Sequence, residues 1–129
     1  MANSNVKLGR VSARYIHTDG VSAAGQTLAT TSALPIGAAP VRVTLIARGQ
    51  VNSTAGNATI TVTAGGKTIS SAVAEAKLDA AGYVYSENCP EGAAIVTTSS
   101  ADIGVTIGTS ALTGSTADVD IIVEYVLIG

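Results

Sequence analysis

The sequence contains no phenylalanine or tryptophan, one cysteine and one histidine, and only 12% of its residues are charged. With four tyrosines as the only aromatic residues, a folded core has to be built from aliphatic side chains. The single cysteine, Cys89, excludes an internal disulfide and fits assembly in a reducing cytoplasm. No apolar run approaches the ~20 residues of a membrane span, and residues 1–7 lack the features of a signal peptide. We therefore expect no membrane association.

The charge is too low and too dispersed for nucleic-acid binding. The formal net charge is −2, and the seven lysines and arginines are scattered along the chain. A protein that holds a phosphate backbone needs a concentrated basic surface. The closest approach to a cluster lies in the N-terminal segment, where an exposed or interface-facing strand edge explains it more simply. We expect no nucleic-acid partner.

The residues that support catalysis or metal binding are also scarce. Nucleophilic catalysis needs a nucleophile, a base and a group that orients the base, and His17 is the only histidine. Glu87 and Glu91 flank Cys89 and should raise its pKa, which disfavours a reactive thiolate. Asp118 and Asp120 alone are too few for a calcium loop. We predict no catalytic, metal or cofactor site, and an enzyme is the weakest functional alternative.

Two further segments resemble binding motifs but have simpler interpretations. Ala64–Thr68 (AGGKT) resembles the end of a phosphate-binding loop, yet the first glycine of that motif is missing. We interpret it as a Gly-Gly hairpin tip. Tyr83 and Tyr85 would point to the same side of an extended segment. There they would either form a small exposed binding patch or pack over the end of the fold.

The dominant positive feature is alternation of apolar and polar residues among the β-branched residues, which predicts strands. It occurs at 41–48, 58–63, 102–107 and 118–128, and more weakly at 6–16. Shorter strands are expected at 27–32 and 93–98 and within 82–92. We predict one all-β domain spanning 1–129, a β-sandwich of seven to eight antiparallel strands and most simply a jelly roll. Residues 1–16 would form an N-terminal arm or edge strand.

Two local features are also predicted. The turn-rich residues 52–57 should join the strands at 41–48 and 58–63 into an antiparallel hairpin. Ser71–Ala80 has the spacing of a helix of about two turns, with Gly82 as a stop signal.

The closing strand is apolar on both faces, which is typical of a strand covered on both sides. One face carries Val119, Ile121 and Val123 and should meet the second sheet. The other face is covered either by another subunit or by loops of the same chain. We expect partners to cover this second face and the N-terminal arm, a set comprising Val6, Leu8, Arg10, Arg14, Ile122, Val126 and Ile128.

Several segments together resemble small virion proteins of tailed bacteriophages, in particular jelly-roll capsid decoration, cement or head-fibre-base proteins. The segments are Ala33–Gly37 running into the strand at 41–48, Ala58–Thr63, Leu78–Gly82 and Ala117–Leu127. The resemblance lies in the general residue composition and in the order of the predicted strands, not in a signature motif. It implies a homo-oligomer, with a trimer favoured, that sits on the major capsid protein or other virion subunits and stabilises the lattice.

This resemblance also implies a location in the virion, after assembly in the host cytoplasm. Two other classes of function stay open. A carbohydrate-binding or adhesin module would need a solvent-facing Tyr or Asn patch. A coat or tube subunit would assemble into large particles by itself.

Overall fold

The computed structural model describes residues 6–17, 23–25, 27–90, 96, 100–112 and 116–128, and for Val6 and Ile128 the backbone alone. Nine strands form two antiparallel sheets. The strands are β1 Val6–Ile16, β2 Thr27–Leu34, β3 Ala38–Gly49, β4 Thr59–Ala64, β5 Lys67–Thr68, β6 Val73–Ala74, β7 Val84–Asn88, β8 Ala101–Gly108 and β9 Asp118–Ile128. The predicted β-sandwich is confirmed.

The strand order is that of a jelly roll. The four-stranded sheet runs β1-β9-β3-β7, and the other runs β2-β8-β4-β5, with β6 also pairing with β4. Since β5 and β6 pair with opposite ends of β4, they act as two halves of one edge strand. Counted in this way, the fold has eight strands. Successive strands lie in opposite sheets except at the β4–β5 hairpin, and the first strand pairs with the last, as two Greek keys require.

The hairpin predicted between residues 41–48 and 58–63 is wrong, because β3 and β4 lie in opposite sheets. The loop between them crosses the sandwich and is fixed by the buried carboxylate of Glu75. Its oxygens accept hydrogen bonds from Ser53 N at 2.9 Å, from Ser53 Oγ and from Ala58 N at 2.8 Å. In return, Glu75 N donates to Ala58 O at 2.9 Å. A carboxylate distant in sequence thus organises this crossing.

The helix predicted over residues 71–80 is also wrong. This segment contains β6, a single 3-10 turn at Glu75–Lys77 and a bend. A two-turn helix is marginal in water, and here pairing of β6 with β4 and burial of Val73, Glu75 and Leu78 compete with it. The strand predicted at 93–98 falls mostly outside the described residues.

The core between the sheets is aliphatic, as the composition requires. Ile60, Val62, Ile103, Val105 and Ile107 are all buried, so the apolar positions of the alternation at 58–63 and 102–107 form the inward faces of β4 and β8. Tyr15 and the first part of β9 complete this layer from the other sheet.

Strict alternation along residues 41–48 would place Val41 on the inner face with Val43, but Val41 is 42% exposed. The register of β3 against β9 shifts between Pro40 and Arg42. A bulge adds one residue to its strand and therefore moves the residues before it to the opposite side. Pro40 takes the buried position instead.

Candidate interaction surface

The two segments predicted to contact partners form one surface. β1 pairs with β9 along its whole length, with Val6 opposite Ile128, Leu8 opposite Val126 and Ser12 opposite Ile122. Because side chains alternate across a strand, the even-numbered residues of both strands share the outer face of the four-stranded sheet. All seven predicted residues therefore occupy this face by register.

All four arginines of the chain lie on the same face. Arg10 and Arg14 come from β1, and Arg42 and Arg48 come from β3 on the other side of β9. We call the outer face of β1, β9, β3 and β7 the arginine face. The three lysines lie elsewhere, since Lys67 is at a hairpin, Lys77 is in the 3-10 turn and Lys7 has the opposite parity in β1. Protein interfaces are enriched in arginine and depleted in lysine.

Carboxylates of β9 hold two of these arginines in place. Arg14 binds Asp118 with two parallel hydrogen bonds, Nε to Oδ1 at 2.9 Å and Nη2 to Oδ2 at 2.7 Å. The Arg14 hydrogen bond is the main reason that the pKa of Asp118 lies below its usual value. Arg48 donates a single hydrogen bond, from Nε to Asp120 Oδ2. Exposed pairs of this kind add little stability, so their main effect is to fix the guanidinium groups over the sheet.

Arg10 and Arg42 are placed differently, because both flank Glu124 in the strand register. Arg42 Nε donates to Ser86 Oγ at 2.8 Å, and Arg10 forms no ion pair among the described residues. The face therefore carries four arginines against three carboxylates. It is nearly neutral and rich in hydrogen-bond donors.

Apolar side chains are interleaved with these charges. Leu8 is 84% exposed and Val84 is 62% exposed, while Ile46, Ile122 and Val126 are half-buried by neighbours in the sheet. A shallow groove lined by Leu8, Gly9, Arg10 and Glu124 runs beside β1. From the sequence, we expected either another subunit or loops of the same chain to cover the outer face of β9. In the structure, neighbouring side chains of the sheet bury Ile122 and Val126 only in part.

The outer face of the other sheet has a different character. Thr59, Thr61 and Thr63 have the outward parity on β4, opposite Gly108, Thr106 and Gly104; Thr63 is nevertheless buried. Thr27 Oγ1 and Thr106 Oγ1 are 2.7 Å apart and hydrogen-bond each other. Here small hydroxyl groups satisfy one another. The arginine face is thus the better candidate for a protein partner.

Sequence reasoning missed part of this surface. Arg42 and Arg48 are the polar positions of the alternation at 41–48, but the predicted surface included neither of them, nor Val84. The signal was present in the occurrence of every arginine at outward positions of two strands, β1 and β3. It becomes visible only when the strand order is known.

The polar residues that were considered for catalysis or metal binding make contacts within the fold. The backbone N of His17 donates to Ala117 O at 2.9 Å, just after β1 ends. Asp118 and Asp120 pair with arginines, as described above. Within the ranges that the structure describes, no group of three or more His, Cys, Asp or Glu side chains could hold a metal ion. Those same ranges contain no helix long and apolar enough to cross a membrane.

The two motif-like segments are also placed by the structure. Gly65 and Gly66 both have positive φ, at 59° and 81°, which is the geometry of a tight turn between β4 and β5. The predicted hairpin tip is confirmed. Tyr85 is half-buried and packs against the core, whereas Tyr83 is 47% exposed, so the two tyrosines do not form a common exposed platform.

Burial, and secondarily the charge of Glu87, raises the pKa of the Cys89 thiol from 9.0 to about 11. The expected thiolate fraction below pH 9 is about 100-fold smaller than for a free thiol. We expect native Cys89 to react with iodoacetamide correspondingly slowly, at a rate that still rises between pH 9 and 11. The raised pKa favours the folded state below pH 9, and this contribution is lost as pH rises toward 11.

The matched control is the same cysteine in the urea-unfolded chain, whose alkylation rate should level off near its ordinary pKa. A native rate that also levels off there would contradict the assigned environment.

No family model and no curated protein sequence matches the chain. Solved structures do. A cyanophage Pam1 capsid structure contains a chain with 22% identity and a TM-score of 0.62, covering 95% of this chain and 85% of that one. A chain from the capsid of the Helicobacter pylori bacteriophage KHP30 matches with 17% identity and a TM-score of 0.53, covering 98% of this chain and 90% of that one. A chain from the capsid of Ralstonia phage GP4 matches with 23% identity and a TM-score of 0.53, covering 96% of this chain and 84% of that one. The fold is thus shared with proteins of three bacteriophage capsids, which confirms the resemblance to bacteriophage virion proteins.

Proposed function

We propose that the chain is a non-enzymatic structural protein of a bacteriophage virion, and specifically a decoration or cement protein that stabilises the capsid lattice. The main support is that a jelly roll shared with chains of capsid structures carries all four arginines on one outer sheet face. We propose that this arginine face contacts the major capsid protein or another virion subunit. The protein would then reside in the virion after assembly in the host cytoplasm.

The chemistry of the face suits a protein partner. Ion pairs that are already formed, as at Arg14–Asp118, present few uncompensated charges to desolvate when a partner covers them. The exposed Leu8 and Val84 contribute apolar area. Arg10 and Arg42 provide donors for acceptors on the partner.

The test is co-sedimentation with capsids of the encoding phage that lack this protein. We expect saturable binding and a higher temperature of genome release from the occupied particles. Arg42→Glu places a carboxylate beside Glu124 and should weaken binding at least about 10-fold through like-charge repulsion and a lost donor. Lys67→Glu, at the exposed hairpin of the other sheet, is the matched control and should leave binding unchanged. Failure of the wild-type chain to bind would refute the proposal.

A coat or tube subunit is the second candidate, because the matched structures are described as capsids. Such a subunit would form large particles when expressed alone. A decoration protein would remain in small assemblies.

A further inference from the structure

We infer that copies of this chain join edge to edge, with β1 of one copy pairing antiparallel with β7 of the next. The four-stranded sheet would then continue from copy to copy. This inference rests on the proposed role as a decoration protein and specifies how its copies would associate. It begins from the sheet order, in which β1 and β7 are the two edge strands of the same sheet.

The backbone of β7 is oriented to accept another strand. Ala47 N donates to Tyr83 O at 2.8 Å and Cys89 N donates to Val41 O at 2.9 Å. These bonds show that the odd-numbered residues of this segment direct their backbone groups toward β3. In an antiparallel ladder the intervening residues direct theirs to the other side. Val84, Ser86 and Asn88 therefore present their N–H and C=O groups along the outer edge.

The first half of β1 has a matching edge. Ser32 Oγ, from β2, donates to Ser12 O at 2.6 Å, which shows that the even-numbered residues of β1 direct their backbone groups away from β9. Leu8 and Arg10 have the same parity. In the described part of the chain, β9 is the only strand that pairs with β1. The segment 7–10 therefore offers a free edge.

Charge favours unlike edges over like ones. β1 contains Lys7, Arg10 and Arg14 and no acidic residue, whereas β7 contains Glu87 and no basic residue. Pairing β1 with a second β1 would bring basic residues together, and like charges in cross-strand positions are destabilising. Pairing β1 with β7 can instead set Lys7 opposite Glu87, because both have the parity of the inner side of the sheet.

Strand direction and side-chain placement agree with this arrangement. Each neighbouring pair in β1-β9-β3-β7 is antiparallel, so β1 and β7 run in opposite directions. A second copy set beside the first with the same face outward therefore continues the antiparallel sheet. With Lys7 opposite Glu87, Leu8 and Val84 are diagonal neighbours on the same face. They are the two most exposed large apolar side chains among the described residues. A head-to-tail contact of this kind generates a closed ring when its rotation permits.

Proline provides a selective test because the affected N–H groups do not serve the chain's own ladders. Leu8→Pro should remove a donor from the edge of β1, and Val84→Pro should do the same on β7, in the edge positions where strands tolerate proline. We expect the wild-type chain to form a small oligomer and each variant to be monomeric, measured by sedimentation velocity. A mixture of equal amounts of the two variants should form dimers and nothing larger. In each dimer, the intact β1 edge of the Val84→Pro variant would pair with the intact β7 edge of the Leu8→Pro variant.

Leu8→Ala, which keeps the N–H group, is the control for β1 and should retain more self-association than Leu8→Pro. Circular dichroism establishes whether each variant folds. Where a proline variant is unfolded, Leu8→Asp and Val84→Asp replace the pair, with the same expected pattern. A monomeric wild-type chain, an oligomeric Val84 variant or a mixture that stays monomeric would overturn the inference. Co-sedimentation of the wild-type chain with capsids tests the proposed function separately, because it can succeed whether or not these edges pair.

Discussion

Replacing Glu75 by alanine is expected to lower the free energy of unfolding by about 3 to 5 kcal/mol. The carboxylate is buried and accepts hydrogen bonds from the backbone of Ser53 and Ala58 and from the Ser53 hydroxyl. Leaving a buried donor unsatisfied costs about 1–3 kcal/mol, and here two buried amides lose this acceptor together. Urea unfolding followed by circular dichroism measures the effect.

Two further variants make this prediction specific. Asp79→Ala removes an exposed carboxylate of the same region and should change stability by less than about 0.5 kcal/mol. Glu75→Gln keeps one acceptor oxygen but places an amide NH₂ where the second oxygen received a hydrogen bond, so its effect should be intermediate. If Glu75→Ala were no more destabilising than Asp79→Ala, the loop between β3 and β4 would not depend on this carboxylate.

The behaviour of Glu75 shows why sequence alone predicted the strands better than their connections. Each strand's own alternation decides which side chains face the core, so the burial of Ile60 and Val105 followed from local pattern. Whether two successive strands pair or cross to opposite sheets leaves their alternation unchanged. The crossing between β3 and β4 depends on a residue about twenty positions away, and no local pattern records that contact.

The false helix at 71–80 has a related cause. An alanine-rich stretch with Glu75 and Lys77 has good intrinsic helix propensity, but propensity is overridden when tertiary contacts are stronger. Here β6 completes an edge of the second sheet, and the buried position of Glu75 requires the chain to turn there. An acidic residue within an apolar segment was the available hint that its carboxylate had a structural partner.

The interaction surface was predictable in parts but not as a whole. The second face of the closing strand was identified from its apolar residues, and the N-terminal segment was identified as an arm or edge strand from its weaker alternation. That these two segments form one surface follows only from the pairing of β1 with β9, which joins the two ends of the described chain. The contribution of Arg42 and Arg48 required β3 to lie on the other side of β9. Long-range strand order is thus the information that the sequence withheld.

Adjacent isoleucines on β9 separate the role of this strand in folding from its role in binding. Ile121 is fully buried between the sheets, whereas Ile122 is half-buried on the arginine face. Ile121→Ala should cost about 2–5 kcal/mol because it leaves a cavity in the core.

Ile122→Ala should cost less than about 1.5 kcal/mol in the isolated chain, since its side chain already meets solvent on one side. If a virion subunit covers this face, the same substitution should weaken co-sedimentation with capsids at least about 10-fold. Urea unfolding and capsid binding, measured on both variants, give the comparison. A large loss of stability with Ile122→Ala, without an effect on binding by the folded protein, would mean that the second apolar face of β9 serves the chain's own fold, and the proposed contact would have to lie elsewhere.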